Sequence, residues 1–332
     1  MTCYRGTSSR QAKSTVGASD RLRFKWANLA AHNAGVTVAI IGITRQPVPA
    51  RRLYSEEEGK TALREVAHIN AYLTPGADVI VRPASRVIGE KTAMVWGNKP
   101  TDGGNLSLTA DECASLLSDY PEAARFIRPY YGAAEFIRGL ERFCIWVEDS
   151  EADEATNIPA LRKRFERVVH FRSVSKAAET RPAAAYPHRF RQIQSVAADH
   201  SLIMPQVSSE RREYLPIGLL PPRSIVSNLA FALYDAPLWN MALIASRLHL
   251  VWIATVCGKL ETRYRYSNTL GWNTFPVPTL TEKQKSDLTA GAEAILLARE
   301  AHFPATIADL YDPEKMPDNL RAAHDRNDET LE

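Results

Sequence analysis

The sequence has few of the features that mark membrane, disulfide-rich or metal-binding proteins. Its longest apolar run, at residues 36–43, is much shorter than the eighteen or more residues that span a bilayer. The four cysteines lie far apart and form no Cys-x-x-Cys pair, so neither a zinc site nor a disulfide framework is indicated. The polar N-terminus lacks the apolar segment of a secretory signal. We therefore expect a cytoplasmic protein with no bound metal and no membrane contact.

The sequence also lacks the short motifs of common catalytic and nucleotide-binding sites. It contains no Gly-rich phosphate loop of the G-x-G-x-x-G or Walker type, no G-x-S-x-G and no H-E-x-x-H. Its eight histidines are scattered, and His249 lies in an apolar segment, where a hydrogen-bonded core histidine is the expected role. The residues alone therefore predict no catalytic and no cofactor-binding residue in this chain.

Positive charge is concentrated in the middle of the chain. The formal net charge is only +3, yet residues 161–212 hold eleven Lys and Arg against four Asp and Glu, directly after an acidic run at 148–154. Clustered cations on a nearly neutral chain favour an anion-binding face, with nucleic-acid phosphate as the leading candidate. A solvated helix face with salt bridges is the alternative, and charge alone does not decide between them.

Hydrophobic periodicity predicts a mixed α+β fold. The β-branched run at 35–43 predicts a buried central strand of an α/β sheet, and residues 55–73 have helical spacing. Thr109 and Glu112 form a capping-box pattern at the start of a further helix. Strands with interior prolines, which favour sheet edges or bulges, are predicted between residues 202 and 235. The remaining predicted helices cover residues 159–174, 237–257 and 282–302.

One segment, residues 204–218, combines serines and arginines between short apolar strands. Ser208 and Ser209 can donate to phosphate oxygens, and Arg211 or Arg212 can form a forked pair of hydrogen bonds with phosphate or guanine. In an extended segment the two arginines point to opposite sides, so one would face the partner and the other would pair with a flanking glutamate. An internal salt-bridge network explains two adjacent arginines equally well.

Two further segments carry residues suited to DNA. A proline-flanked loop offers His188, Arg189 and Arg191. Residues 263–267 alternate arginine with tyrosine, so that Arg263 and Arg265 would lie on one face of a strand and the aromatic rings on the other. This arrangement suits backbone contact and base stacking, although an ordinary edge strand has the same pattern.

Longer strings occur in consistent order over residues 20–328. They are FKWANLAAHNAGVTVAIIGI, INAYL, NKPTDGGNLSL, FIRPYYGAAEFIRGLERFCIW, PHRF, VSSERREYLPIG, YDAPLWNMALIASRLHLVW, GKLETRYRYSNTLGWNTFPVP and LYDPEKMPDNLRAAH. As a set they resemble the C-terminal part of MmeI-like DNA methyltransferases, which are large single-chain restriction–modification proteins or their methyltransferase relatives. The resemblance is specific because the strings together cover nearly the whole chain.

The resemblance implies a division of the chain into four parts. Residues 1–19 would be a disordered or divergent N-terminus, and 20–68 the end of an adenine-N6 methyltransferase domain. Residues 69–276 would be the target recognition domain, which binds double-stranded DNA, and 277–332 a small helical C-terminal domain. The full-length family would use S-adenosylmethionine as its methyl donor.

This sequence departs from the family in what it lacks. The family's S-adenosylmethionine loop and its N-P-P-[YF] motif lie upstream of the matching part, and neither occurs here. No catalytic or cofactor-binding residue is therefore carried over, and the chain resembles a truncated or split gene product. Two alternatives to a DNA-recognition module remain. The chain would complete a split methyltransferase in trans by docking through residues 20–68, or it would be a non-functional remnant.

Overall fold

The computed structural model describes residues 18–24, 38–43, 50–57 and 60–332. The N-terminus predicted to be disordered or divergent over residues 1–19 lies outside this part except at its end. The described helices and strands form an α+β architecture, as predicted. No helix in these ranges is both long and apolar enough to cross a bilayer.

The N-terminal strands form a four-stranded sheet of order β2-β1-β3-β4. Strand β1 is antiparallel to β2 and parallel to β3, and β3 is antiparallel to β4. The strands are β1 (Ala18–Phe24), β2 (Val38–Ile43), β3 (Arg51–Glu57) and β4 (Lys60–Val66).

Two sequence-based predictions for this region are wrong. The run at 35–43 was predicted to be a buried central strand, but β2 lies at the sheet edge and Ile41 is 45% exposed. The helix predicted over 55–73 is replaced by β3 and β4, which pair in register from Arg51↔Val66 to Glu57↔Lys60. A neighbouring strand satisfies the backbone groups in this ladder, and such pairing overrides a weak local preference for helix.

The rest of the chain builds three small sheets, of orders β11-β9-β13-β5, β12-β7-β8-β6 and β10-β15-β14. Their strands are β5 (Val95–Trp96), β6 (Ser107–Thr109), β7 (Ile127–Tyr131), β8 (Arg142–Ile145), β9 (Ser201–Pro205), β10 (Val207–Ser208), β11 (Gly218–Leu220), β12 (Ile225–Val226), β13 (Ala230–Tyr234), β14 (Gly258–Leu260) and β15 (Arg263–Arg265). The α-helices are α1 (Ala110–Asp119), α2 (Ala133–Arg138), α3 (Ala152–Asn157), α4 (Pro159–Ser173), α5 (Trp239–Ile244), α6 (Arg247–Val256), α7 (Glu282–Glu300), α8 (Ile307–Leu310) and α9 (Asp318–Leu331). Short 3₁₀ segments cover Pro121–Phe126, Asp149–Glu151 and Ala178–Ala185, and a π-helical turn covers Asn268–Trp272.

These elements pack around two main apolar cores. The larger core places β9 and β13 against α5, α6, α7 and α9, with Leu202, Phe231 and Trp272 fully buried. The second core places β6, β7 and β8 against α1 and α4, with Leu108 and Phe165 among its buried residues. Helix α4 therefore belongs to the second core, whereas β10, β14 and β15 adjoin the first.

Of the helices predicted over 159–174, 237–257 and 282–302, the first and third agree with the structure and the second is broken. Helices α4 and α7 are confirmed within two residues of their predicted ends. The single helix predicted over 237–257 is two helices, because the Ser246 hydroxyl accepts a hydrogen bond from the His249 amide and starts α6 anew. The edge position or bulge suggested for proline-containing strands is wrong for β9, which is central, pairs with β13 without a register shift and has Pro205 as its last residue.

The capping box at the start of α1 gives a first prediction. The Thr109 hydroxyl accepts from the Glu112 amide at 3.2 Å, and the Glu112 carboxylate accepts from the Thr109 amide at 3.0 Å. We expect Thr109→Ala to lower the free energy of unfolding by about 1 kcal/mol, because it removes this cap. Urea denaturation at pH 7 measures the change.

The matched control is Thr255→Ala. The Thr255 hydroxyl is exposed and donates only to a carbonyl of its own helix, so its loss should change the free energy of unfolding by less than about 0.5 kcal/mol. Equal losses for the two variants would contradict the capping role of Thr109.

Candidate nucleic-acid interface

Two of the three predicted DNA-binding segments lie together in the structure. Strand β10 pairs with β15 through Val207↔Arg265 and Ser208↔Tyr264, and β15 pairs with β14. The turn that follows β10 contacts the β14–β15 connection, where the Thr262 hydroxyl donates to the Glu210 carboxylate at 2.6 Å. We call residues 207–212 and 258–265 the hairpin–turn cluster.

The two adjacent arginines of this cluster occupy a turn, so the predicted extended geometry is wrong. The Arg212 amide donates to the Ser209 carbonyl at 3.3 Å, which closes the turn. The Arg211 side chain is 63% exposed and pairs with Glu314 at 2.7 Å. Arg212 is half-buried, with Nη1 3.4 Å from the Ser208 hydroxyl, and burial lowers the pKa of its guanidinium. The turn therefore presents Arg211 to solvent and turns Arg212 inward.

The flanking glutamates do not pair with these arginines as predicted. Glu210 accepts from Thr262, and Glu213 pairs with Arg321 and Arg247. The carboxylate that neutralises Arg211 comes instead from Glu314, about one hundred residues later in the chain. Both Arg211 and Glu314 are mostly exposed, and exposed pairs contribute little stability, so a phosphate can replace this carboxylate at small cost.

The two serines differ in accessibility. Ser208 is only 3% exposed and lies beneath the Arg212 guanidinium, so a phosphate does not reach it in this structure. The Ser209 hydroxyl is half-buried and accepts from the Arg211 amide at 3.2 Å. Both serines shape the turn, and the role predicted for them as phosphate donors stays a prediction.

Strand β15 presents its arginines on one face. Arg263 and Arg265 are exposed, whereas Tyr264 between them is half-buried with the Lys259 ammonium 5.6 Å from its ring centre. Arg263 pairs with Glu261 at 2.9 Å. Among the described residues, none forms an ion pair or hydrogen bond with the Arg265 guanidinium. Arg265 is therefore the cation of this cluster that is most available to an external anion.

The third predicted segment, the loop at 187–192, has a carboxylate partner of its own. His188 Nε2 and Arg189 Nη1 lie 2.8 and 2.7 Å from the two Asp149 oxygens, and hydrogen bonding to His188, with Arg189 beside it, lowers the pKa of Asp149. Arg191 donates to the Glu179 carbonyl at 3.1 Å. Asp149, in the acidic run at 148–154, is thus a counter-ion for the loop at 187–192, which we call the basic loop. Salt bridges were the alternative to an anion-binding face for this region of positive charge.

A buried arginine that the sequence reasoning did not select holds this loop in place. The side chain of Arg172 on α4 is fully buried and donates to five carbonyl oxygens at 2.8–3.0 Å. The acceptors belong to Pro100, Thr101, Ala183, Tyr186 and Arg189. A signal was present in the sequence, because Arg172 follows Leu161, Phe165 and Val168 at helical spacing and so falls on the buried face of α4.

Asn98 links the basic loop to the strand that leads into the hairpin–turn cluster. Its side-chain amide donates to the Ser195 carbonyl at 3.0 Å, and its side-chain oxygen accepts from the Gln194 amide at 2.7 Å. Its carbonyl accepts from the Asn228 amide at 3.0 Å, and the Asn228 carbonyl accepts from Gln206 at 2.7 Å. Gln206 lies between β9 and β10, so hydrogen bonds join the two basic regions.

Two family models match this chain over adjoining ranges. The MmeI target recognition domain matches residues 75–279, and the MmeI C-terminal domain matches residues 280–332. The first range contains every predicted DNA-binding residue described above. The C-terminal range supplies Glu314, the partner of Arg211.

Two known proteins are similar to nearly all of this chain. DNA methyltransferase A of Bacillus subtilis (strain 168) is 34% identical over 309 residues, which are 93% of this chain and 35% of that protein. The solved structure of the Type IIL restriction–modification enzyme MmeI in complex with DNA is 34% identical, with a TM-score of 0.86, over 95% of this chain and 42% of that one. The chain thus spans well under half the length of both relatives. It belongs to the MmeI family, as the resemblance implied.

Proposed function

We propose that this chain is the sequence-specific DNA-recognition portion of an adenine-N6 DNA methyltransferase of a restriction–modification system. The observation that carries the proposal is the pair of exposed cations, Arg211 and Arg265, on the hairpin–turn cluster within the target recognition domain. Arginine suits this role because its planar fork of donors fits both phosphate oxygens and the guanine edge. The relative solved with DNA supports the choice of ligand.

Methyl transfer in the whole protein would need S-adenosylmethionine, and the open groove beside α4 does not suit that cofactor. This groove is lined by Lys163 and Arg167, whose positive charges repel a sulfonium cation. We therefore assign DNA recognition to this chain and leave methyl donation to a catalytic region outside the described residues.

The proposal predicts salt-dependent binding to duplex DNA that depends on Arg211 and Arg265. We expect alanine at either position to weaken binding of a selected duplex by about tenfold or more, because a forked arginine contact contributes about 1–3 kcal/mol. Selection from a randomised duplex pool provides the ligand, and mobility-shift titration at two salt concentrations measures the affinity.

The control for this experiment is Lys283→Ala. Lys283 is an exposed cation on α7 that pairs with Asp287, so its loss removes one charge away from the hairpin–turn cluster. The affinity of the Lys283→Ala variant for the selected duplex should equal that of the unmodified chain. Negligible duplex binding by the unmodified chain at low salt would rule out the proposed function.

A second candidate function is completion of a split methyltransferase by docking onto a separate catalytic half. The four-stranded N-terminal sheet favours it, because Ile41 on edge strand β2 and Leu63 on edge strand β4 are 45% and 53% exposed. Open strand edges and exposed apolar side chains are suited to pairing with another chain. Co-expression with such a half, followed by measurement of methyl incorporation into DNA, tests it, and absence of incorporation by the co-purified complex would contradict it.

A further inference from the structure

An open groove of about 730 Å³ lies between α4 and the glycine-containing loop that precedes β6. It belongs to none of the three segments that carry the predicted DNA-binding residues. Its walls are formed by Gly103 and Asn105 on the loop side and by Lys163, Arg167, His170 and Phe171 on the helix side.

The groove is held open by defined contacts. Gly103 has a φ of +64°, and a Cβ at this position would lie 2.7 Å from the Phe171 ring, so glycine allows the loop to pass beneath the ring. Arg164 donates to the Asn105 carbonyl at 3.1 Å, and Arg172 donates to the Thr101 carbonyl at 2.9 Å. Two arginines of α4 therefore fix both ends of the loop, and the groove exists before any ligand binds.

The helix side of the groove carries a row of cations. Lys163, Arg167 and His170 are exposed and follow one another at spacings of four and three residues, so they lie along one side of α4. Among the described residues, none pairs with the Lys163 or Arg167 side chain, and Glu166 is the one acidic residue lining the groove. This contrasts with Arg189 and Arg211, which each have a carboxylate partner.

The dimensions and chemistry of this row match one strand of a duplex. The distance along the helix axis from Lys163 to His170 is about 10 Å. One DNA strand carries a phosphate about every 3.4 Å of duplex axis, so the row spans about three phosphates. Phe171 is 41% exposed and Val174 65% exposed, and they offer an apolar surface beside the cations for the sugar rings between phosphates.

We propose that this groove, which we call the α4 groove, binds the sugar–phosphate backbone of duplex DNA as a sequence-independent anchor. The proposal rests on the proposed function and names a second contact with the same ligand. Helix α4 also holds the loop at 187–192, because Arg172 near the end of the helix donates to the Arg189 carbonyl at 2.8 Å. Phosphate contacts fix the position of a protein on DNA and carry no sequence information themselves.

The test compares two double variants of the full chain that each remove two positive charges from the same basic region. Lys163→Gln with Arg167→Gln changes the α4 groove. Arg162→Gln with Lys176→Gln changes exposed cations that do not line it. The ligands are a labelled duplex of arbitrary sequence, whose affinity is titrated against salt concentration, and a randomised duplex pool from which each protein selects its preferred sequence.

For the arbitrary duplex, we expect the slope of log affinity against log salt concentration to be smaller by about 1.8 in the groove variant. Each phosphate contact contributes about 0.9 to this slope, and the variant loses two cations that make such contacts. The control variant should keep the slope of the unmodified chain. All three proteins should select the same sequence. An unchanged slope in the groove variant, or an equal loss in both variants, overturns the anchor but leaves the proposed function standing. Failure of the proposed function is distinct, because the unmodified chain would then bind neither ligand.

Discussion

Arg172→Ala is expected to lower the free energy of unfolding by about 4 kcal/mol, which is a large effect for a single substitution. The guanidinium is fully buried, and its removal leaves five carbonyl oxygens without their donor. A buried acceptor that loses its partner costs about 1–3 kcal/mol, and such costs are partly shared when neighbouring groups relax together. Urea denaturation at pH 7 measures the loss.

Two further variants make this expectation specific. Arg172→Lys keeps the positive charge but has a compact ammonium in place of the planar fork of donors. The ammonium cannot reach the carbonyls of residues 100–101 and those of residues 183–189 together, so this variant should be nearly as destabilising as Arg172→Ala. Arg162→Ala removes an exposed arginine from the same helix and should change the free energy of unfolding by less than about 0.5 kcal/mol. A lysine variant as stable as the unmodified chain would show that the charge, and not the hydrogen bonds, matters.

Acidification is expected to destabilise the fold through two buried histidines. Burial lowers the pKa of His249 from 6.5 to about 3, with Lys91 adding to the shift, and burial also lowers the pKa of His324 well below 6.5. His249 lies 2.8 Å from the Tyr266 hydroxyl, and His324 lies 2.8 Å from the Tyr311 hydroxyl. Both rings therefore stay neutral in the folded protein at pH values where they are protonated in the unfolded chain.

The direction of the pH effect follows from these depressed pKa values. Well above pH 6.5 neither histidine binds a proton in either state, so burial of the two neutral rings costs no stability there. As the pH falls through 6.5, the unfolded chain gains a proton at each histidine while the folded protein does not, so the free energy of unfolding falls. For His249, whose folded pKa is about 3, the loss approaches about 1.4 kcal/mol per pH unit and reaches about 3 kcal/mol at pH 4.5, and His324 adds a loss in the same direction.

Histidine variants separate this effect from the titration of carboxylates. His249→Gln and His324→Gln each remove one buried imidazole, so each should flatten the dependence of the free energy of unfolding on pH between 6.5 and 4.5, by about 1.4 kcal/mol per unit for His249. Urea denaturation at pH 7.0, 6.0, 5.0 and 4.5 measures the slopes. His170→Gln, which changes an exposed histidine, should leave the slope as it is. Slopes unchanged by both core variants would show that neither imidazole resists protonation.

The secondary-structure predictions were correct where a few adjacent residues determine the structure, and they failed where a partner strand determines it. Helices α1 and α7 begin at capping boxes, and α4 begins with a proline, so their starts could be predicted from a few adjacent residues. The N-terminal region failed because β3 and β4 are specified by pairing with one another, and helical spacing in one of them does not reveal a partner strand. The break between α5 and α6 was also a local signal, a serine cap within an apolar run, and was overlooked.

The residue types of the candidate site could be predicted from the sequence, but the partners of its charged side chains could not. The alternation along β15 correctly placed Arg263 and Arg265 on the face opposite Tyr264. The partners of the other arginines could not be deduced, because Asp149 and Glu314 lie about 40 and 100 residues away from them in sequence. The five acceptors of Arg172 are backbone carbonyls, which every residue possesses, so no residue pattern marks them.

The hydrogen bonds around Asn98 constrain the distance between the two arginine-bearing regions. The Asn98 side chain bonds to residues 194–195, the Asn98 carbonyl accepts from the Asn228 amide, and the Asn228 carbonyl accepts from Gln206. Because these bonds link the two arginine-bearing regions, the regions cannot move apart independently. Their separation is set by the Asn98 and Gln206 side chains, which each bond to the main chain of another segment. If duplex DNA binds both regions, as proposed, its phosphates must match this interval, and the helical repeat of the duplex would influence binding before any base is read.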